Sequence, residues 1–134
     1  HPASIVVALR AKRGHGRIFL VTDAMSQTGT DIRTLTLNGR TITRADGALR
    51  LADGTLAGAD LDMIDAVNFM VDTIGLDLDE ALRMASLYPA EAMGISETYG
   101  HLRSGALASF VHLTGDRQVG STWIGGEKVW QKGE

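Results

Sequence analysis

Asp23 is the residue in this sequence whose type and position most clearly suggest chemistry. It stands just beyond the unbroken apolar run Ile18–Val21, and such a run predicts a strand buried on both faces, as in the parallel sheets of α/β proteins. Functional side chains gather at the carboxyl edge of these strands, where a carboxylate can act as a general base or as a metal ligand. The alternative, an Asp that only caps a turn or the next helix, stays open.

The histidines do not form a metal-binding pattern. No two of them lie at a spacing such as H-x-H or H-x-x-x-H; the four are His1, His15, His101 and His112. His1 alone is near the expected catalytic edge, because it opens the helix that precedes the Asp23 strand. A catalytic zinc site needs three protein ligands, so the histidines of this chain are not expected to assemble one by themselves.

A second candidate is the stretch of small residues at 54–59, which is predicted to be a loop. Its sequence is Gly-Thr-Leu-Ala-Gly-Ala; glycines allow the backbone to approach a ligand closely, and N–H groups near a helix start can bind an oxyanion. The pattern alone favours a plain connection. It is not a P-loop, since no Gly-Lys-Ser/Thr follows, and no G-x-S-x-G serine elbow occurs in the sequence.

Composition bounds the class of protein. The chain has 134 residues, a formal net charge of −3, 44% hydrophobic residues and no cysteine, which is typical of one soluble globular domain. Mild acidity disfavours a nucleic-acid or anionic-membrane partner, and the apolar run Ile5–Leu9 is far shorter than the roughly 18 residues of a membrane span. The absence of cysteine excludes a thiolate nucleophile and fits a reducing, cytoplasmic compartment.

The elements that must position these residues alternate between helical and strand patterns. The predicted order is a helix, the buried strand, a small antiparallel meander, three helices and a β tail. Turn dipeptides bound the meander and the last hairpin: Asn38-Gly39, Asp46-Gly47, Asp53-Gly54 and Gly125-Gly126. The tail strands are expected near 107–113, 118–124 and 127–130.

Helix starts are also marked in the sequence. Pro2 suits the first turn of the first helix, Asp60 is a candidate N-cap, and Asp77 with Glu80 predicts a capping box. One buried parallel strand cannot form a sheet alone, and the chain opens on His1 at a helix start. We therefore expect the chain to be a fragment, with the missing strands before His1 or on another chain.

Taken together, these segments resemble the C-terminal part of the N-acetylglucosamine-6-phosphate deacetylase family, within the amidohydrolase superfamily. The stretches V-T-D-A-M and D-G-T-L-A-G are fairly specific, whereas Y-P-A and the tail are shared with other amidohydrolases. The resemblance covers nearly the whole chain, through residues 1–3, 18–25, 53–58, 61–67, 80–90 and 125–126.

The resemblance implies an α/β fold, the C-terminal part of a (β/α)8 barrel with strands of a small β-sandwich. Ile18–Val21 would be the eighth barrel strand. Residues 1–105 would belong to the catalytic barrel, including the meander at 32–51, and residues 106–134 would supply sandwich strands. A complete barrel needs about 250 residues, so the chain would be about a third to a half of an enzyme.

It also implies roles for individual residues. Asp23 matches the family's catalytic Asp, while Leu56, Ala57 and Gly58 match the positions that contact the sugar's N-acetyl group. His1 matches the position two residues after a substrate-binding His. The metal ligands, a Glu and two His, and the phosphate-binding residues would lie upstream of His1, so no metal ligand is expected within this segment.

The implied activity is metal-dependent hydrolysis of N-acetylglucosamine 6-phosphate to glucosamine 6-phosphate and acetate, with a divalent zinc or iron ion as cofactor. The implied partners are this amino-sugar phosphate, the rest of the barrel and a second subunit of a homodimer. Two alternatives remain open. One is another amidohydrolase, such as a dihydroorotase-like enzyme or a D-amino-acid deacylase, and the other is a structural segment that is inactive on its own.

Overall fold

The structure, a computed structural model, describes residues 1–133 and is mixed α/β. Its helices are α1 (Pro2–Ala11), α2 (Met63–Asp72), α3 (Leu78–Ala85) and α4 (Leu87–Ala92). Its strands are β1 (Thr34–Leu37), β2 (Arg40–Ala45), β3 (Ala48–Leu51), β4 (Leu56–Ala59), β5 (Phe110–Leu113), β6 (Val119–Ile124) and β7 (Glu127–Gln131). Across residues 1–133, no helix combines the length and apolar character needed to cross a membrane.

The chain divides into two compact units. One contains residues 1–20 and the chain from Val67 onward, and the other is Val21–Ala66. In the first unit, Val67, Met70 and Met84 form the centre of the core, each 2% exposed. Its three strands form an antiparallel sheet in the order β5-β6-β7, and the rings of Phe110 and Trp123 stack across it with centroids 5.6 Å apart.

The second unit is a four-stranded antiparallel meander in the order β1-β2-β3-β4. The predicted turn dipeptides connect these strands, since Leu37 pairs with Arg40 and Ala45 pairs with Ala48. Every other residue of a strand faces the same side of the sheet, and the inward side of β2 and β3 carries Ile42 and Leu49, which are 4% and 0% exposed. The predicted meander is therefore confirmed.

The segment Ile18–Val21 differs from its prediction. It is extended but is not assigned as a strand, and Phe19 and Val21 are 40% and 71% exposed. The prediction of a strand buried on both faces is therefore wrong for the described chain. Parallel strands need neighbours to pair their backbone groups, and in the described residues this segment has only the bond from the Leu20 N–H to the Met84 carbonyl, 2.9 Å long.

The N-cap predicted at Asp60 is also wrong. Helix α2 begins at Met63, and Asp62 Oδ1 accepts the bond from the Asp65 N–H at 2.9 Å. Asp60 directly follows β4, whose pairing keeps the chain extended up to Ala59. Its carboxylate lies 2.9 Å from Arg44 Nε instead.

The capping box at the start of α3 does not form. Asp77 is the N-cap residue, as predicted, but its side chain makes no capping hydrogen bond. Glu80 accepts a hydrogen bond from the Tyr88 hydroxyl at 2.9 Å and pairs with Arg83 Nη2 at 2.8 Å. Charge-assisted bonds of this kind are stronger than neutral ones, so they outcompete the backbone N–H for the Glu80 carboxylate.

Candidate active site

Asp23 adopts a backbone conformation that few side chains tolerate. Its φ is +55°, in the left-handed region where Asp and Asn are several-fold enriched among non-glycine residues. The turn is supported by Thr22, whose Oγ1 accepts a hydrogen bond from the Ala24 N–H at 3.2 Å. Asp23 is exposed, so the carboxylate of the predicted base is accessible in this structure.

The stretch at 54–59, predicted as a loop, contains a strand. Leu56–Ala59 forms β4 and pairs with β3, so the loop prediction is wrong for these residues. Small side chains give no hydrophobic alternation, which explains why the pattern did not reveal a strand. Leu49 pairs with Gly58 and Arg50 with Leu56, which leaves Ala57 as the extra residue of a β-bulge.

A bulge is informative at this place because bulges bend a strand and redirect side chains, and they are over-represented beside active sites. Within β4, Leu56 is 61% exposed, Ala57 is half-buried and Gly58 is buried. Among the three residues predicted to contact substrate, Leu56 therefore has an exposed apolar side chain, Ala57 has a small half-buried side chain, and Gly58 has no side chain and is buried.

The structure brings the predicted base and the predicted substrate-contacting strand together. The Ala59 N–H donates to the Asp23 carbonyl at 2.9 Å, and Ala24 and Ala59 form a parallel bridge. Gly58 has a φ of +144°, and a Cβ placed on it would lie 2.7 Å from Met25 Cγ and 3.0 Å from the Asp23 carbonyl oxygen. Only glycine fits this close approach between the two segments.

The turn that leads into β4 is held by Asp53. Its Oδ1 accepts a hydrogen bond from the Thr55 N–H at 2.9 Å, and this bond lowers the pKa of Asp53 below its usual value of 3.8. Arg50 Nη1 donates to the Gly54 carbonyl at 3.0 Å on the same turn. These contacts fix the chain immediately before Leu56.

Sequence reasoning missed Arg44, Gln27 and Thr30, which lie beside this site. Arg44 of β2 donates from Nη1 to the Thr30 carbonyl at 2.7 Å and from Nη2 to the Gln27 carbonyl, and its Nε pairs with Asp60. Gln27 is completely buried. One signal could have found Arg44: it is two residues from Ile42 and so shares the inward face of β2, where an arginine requires partners.

Potential metal ligands are not clustered in the part of the chain that the structure describes. Within residues 1–133 no group of three or more His, Cys, Asp or Glu residues is placed to hold one. His1 caps helix α1, where its Nδ1 accepts a hydrogen bond from the Ala3 N–H at 3.2 Å. The described residues therefore do not by themselves form a metal centre, and Asp23 would contribute one carboxylate ligand to such a centre.

Comparison with known proteins identifies the class. Residues 10–129 match the amidohydrolase family, so the chain belongs to the amidohydrolase family, whose members generally use a divalent metal. Among its relatives, the N-acetylglucosamine-6-phosphate deacetylase of Vibrio furnissii is 34% identical over 130 residues, which cover 97% of this chain and 32% of the relative. The N-acetylgalactosamine-6-phosphate deacetylase of Escherichia coli is 37% identical over 127 residues, covering 95% of this chain and 33% of the relative.

Solved structures give the same result. The crystal structure of N-acetylglucosamine-6-phosphate deacetylase from Pasteurella multocida superposes with a TM-score of 0.86 at 34% identity, over 95% of this chain and 33% of that one. A mutant of the Mycobacterium smegmatis enzyme in complex with N-acetyl-D-glucosamine-6-phosphate gives a TM-score of 0.79 at 32% identity, over 96% and 34% of the two chains. The chain thus spans about a third of the length of these relatives.

Proposed function

We propose that this chain is the C-terminal part of a metal-dependent deacetylase that hydrolyses N-acetylglucosamine 6-phosphate to glucosamine 6-phosphate and acetate. In this proposal residues 1–105 complete a (β/α)8 barrel, residues 106–134 contribute to a small β-sandwich, and the whole works as a cytoplasmic homodimer. We refer to the chain together with the remainder of its barrel as the assembled enzyme. The segment alone is expected to be inactive.

The observation that carries the proposal is the contact between Asp23 and β4. A hydrogen bond of 2.9 Å joins the backbone of the predicted base to Ala59, one residue beyond Gly58. These backbone contacts between β4 and the turn at Asp23 support a site to which both contribute. Both groups are needed in one place if an acetamido group is to be bound and hydrolysed.

In the proposed mechanism Asp23 moves one proton. Its carboxylate takes a proton from the water that attacks the acetyl carbonyl, so that the new C–O bond forms without releasing a hydronium ion. As the C–N bond breaks, the same carboxyl group gives the proton to the departing nitrogen, which is a poor leaving group as an amide anion. The products are acetate and the free amino sugar phosphate, and Asp23 returns to its starting ionisation state.

The exposed Leu56, the small Ala57 and the backbone of Gly58 would form the wall against which the acetyl methyl group lies. At Gly58 the missing side chain leaves space that Met25 and the Asp23 carbonyl occupy, so β4 can lie directly against the turn at Asp23. For the cofactor, we propose a divalent zinc or iron ion that is held mainly by residues outside this segment, as the resemblance to the deacetylase family implies.

The test is the Asp23→Asn variant of the assembled enzyme. Asn tolerates the left-handed backbone conformation nearly as well as Asp, so the substitution removes the base without imposing backbone strain. We expect a loss of about two to four orders of magnitude in turnover, with unchanged metal content and unfolding temperature. The matched control is Asp46→Asn, since Asp46 has a φ of +52° in the turn between β2 and β3.

Two results would contradict the proposal. Near-normal turnover of Asp23→Asn would remove Asp23 from catalysis, and equal losses in both variants would trace the effect to the backbone conformation rather than to the base. Robust deacetylation by residues 1–134 alone would contradict the requirement for the rest of the barrel.

A second substrate has specific support. The Escherichia coli relative is named for the galactose epimer and is 37% identical to this chain over 127 residues. N-acetylgalactosamine 6-phosphate is therefore the second candidate. The two epimers differ only in one hydroxyl orientation, so comparing kcat/KM for both at equal concentration distinguishes the candidates.

A further inference from the structure

Arg44 joins the two segments that build the candidate site, although it belongs to neither of them. It lies on β2, and its side chain is 20% exposed. Its Nη1 donates to the Thr30 carbonyl at 2.7 Å, and its Nη2 donates to the Gln27 carbonyl. Both carbonyls belong to the turn that follows Asp23 and Met25.

On its other side the same guanidinium holds the end of β4. Arg44 Nε lies 2.9 Å from Asp60 Oδ2, and Asp60 directly follows Ala59, the residue whose N–H bonds to the Asp23 carbonyl. One planar guanidinium thus contacts both segments. It reaches the turn through two hydrogen bonds from its Nη atoms and the end of β4 through an ion pair in which Nε makes no hydrogen bond to a described residue. The two segments meet at Asp23, so their relative position depends on this group.

The turn that Arg44 holds is anchored independently. Gln27 is completely buried, and its Nε2 donates to the Ile42 carbonyl of β2 at 3.5 Å. Thr30 Oγ1 donates to the Gln27 carbonyl at 2.8 Å, so that carbonyl accepts from both Thr30 and Arg44. Gln27 Oε1 has no hydrogen-bond partner among the described residues, so the turn is held by the remaining bonds of this network, and losing one of them would leave a further polar group unsatisfied.

We propose that Arg44 is a positioning residue for Asp23. It acts through Gln27 and Asp60 and not on the substrate, and it keeps the Asp23 carboxylate aligned with the substrate wall of β4. The expected loss of kcat rests on the proposed function. The expected loosening of the contacts around Asp23 and Ala59 does not. A small misalignment of a catalytic group lowers turnover by up to about a hundredfold, so the effect belongs in kcat rather than in KM.

The experiment is a double-mutant cycle in the assembled enzyme with Arg44→Gln and Asp23→Asn. Arg44→Gln is expected to lower kcat by about tenfold to a hundredfold with KM changed by less than about threefold. In the Asp23→Asn background it should lower kcat by less than about twofold, because groups that act as one unit are not additive. The matched control is Arg40→Gln, at the exposed start of the same strand.

Two conservative variants, Arg44→Lys and Asp60→Asn, test the proposal in a second way. Arg44→Lys keeps the charge but lacks the planar fork that reaches the Thr30 and Gln27 carbonyls together, so it should recover only part of kcat. Asp60→Asn removes the ion pair and leaves both bonds from Arg44 to the turn, so it should lower kcat less than Arg44→Gln does. It also tests the proposal if the Arg44→Gln variant does not fold. Loss of kcat by the same factor in both Asp23 backgrounds, or no loss beyond that of Arg40→Gln, would overturn the proposal.

Amide hydrogen exchange separates this proposal from the proposed function. Arg44→Gln should speed exchange at the amides of Thr28, Thr30 and Ala59, whose N–H groups bond within the site, while exchange in the β5-β6-β7 sheet stays unchanged. If the wild-type enzyme deacetylates neither epimer but this local loss of protection is seen, the proposed function fails and the structural role of Arg44 stands. Unchanged protection at these amides refutes the role of Arg44 whatever the substrate.

Discussion

Replacing Gly58 by alanine tests the close approach on which the candidate site depends. The added Cβ would lie 2.7 Å from Met25 Cγ and 3.0 Å from the Asp23 carbonyl oxygen. The first neighbour is part of a flexible side chain, but the second is backbone and can move only if the bond between Asp23 and Ala59 changes. The substitution should therefore destabilise the unit and also displace Asp23.

The magnitude follows from two contributions. A side chain at a φ of +144° is in a region where a non-glycine residue costs about 1–3 kcal/mol. Overpacking against fixed neighbours costs about 1–3 kcal/mol more. We expect the Gly58→Ala variant to lose about 2–6 kcal/mol of unfolding free energy and to lose turnover beyond what this destabilisation explains.

The assay is urea unfolding of the assembled enzyme together with kcat measured under fully folded conditions. Gly54→Ala is the matched control, because Gly54 has a φ of +85° but nothing within 4 Å of the added Cβ, so it should cost only about 1–2 kcal/mol. Adding Met25→Ala to Gly58→Ala removes one clash but not the other and should restore only part of the loss. Equal destabilisation by Gly58→Ala and Gly54→Ala would refute the argument from close approach.

Two further predictions each concern a side-chain hydrogen bond, one in each of the two units. The hydrogen bond from Thr55 lowers the pKa of Asp53 below its usual value of 3.8. Asp53 therefore stabilises the folded state fully above that usual value, and this stabilisation is lost as the pH falls through the lower pKa of the folded state. Asp53→Ala should flatten the dependence of unfolding free energy on pH below about 4, and an unchanged acid profile would contradict this. Tyr88→Phe removes the hydroxyl that donates to Glu80 at 2.9 Å and should cost about 1 kcal/mol in urea unfolding. In a Glu80→Ala background, which has no side-chain acceptor at this position, the cost should shrink, and an undiminished cost would exclude the bond as its source.

The sequence predicts the local features of this fold because local chemistry determines them. Asn38-Gly39 produces the hairpin between β1 and β2 through residues that tolerate positive φ, and Asn38 has a φ of +51°. Helix α1 begins at Pro2 and ends before Gly14, as predicted. Turns and helix ends of this kind depend on a few neighbouring residues, so a single sequence is sufficient to locate them.

The features that the sequence mispredicts depend on partners distant in the chain. Whether Ile18–Val21 becomes a paired strand depends on neighbouring strands, which the described residues do not supply. Strand β4 exists because Gly58 and Ala59 meet Leu49 and Ala48, and small residues carry no periodic signal. Asp60 is of a residue type that often caps helices, but its carboxylate forms an ion pair with Arg44, which is distant in sequence.

The candidate site divides in the same way between local and distant causes. Asp23 could be found from its position after an apolar run, and Arg44 could be singled out as an arginine on the inward face of β2. The connection between them could not be predicted, because Arg44 acts through backbone carbonyls that any sequence possesses. If Arg44 positions Asp23, a search for functional residues limited to side chains that touch substrate would overlook it. Arg44→Gln should lower kcat in the wild-type background but hardly at all in the Asp23→Asn background. A residue that only stabilises the fold would lower kcat by the same factor in both backgrounds.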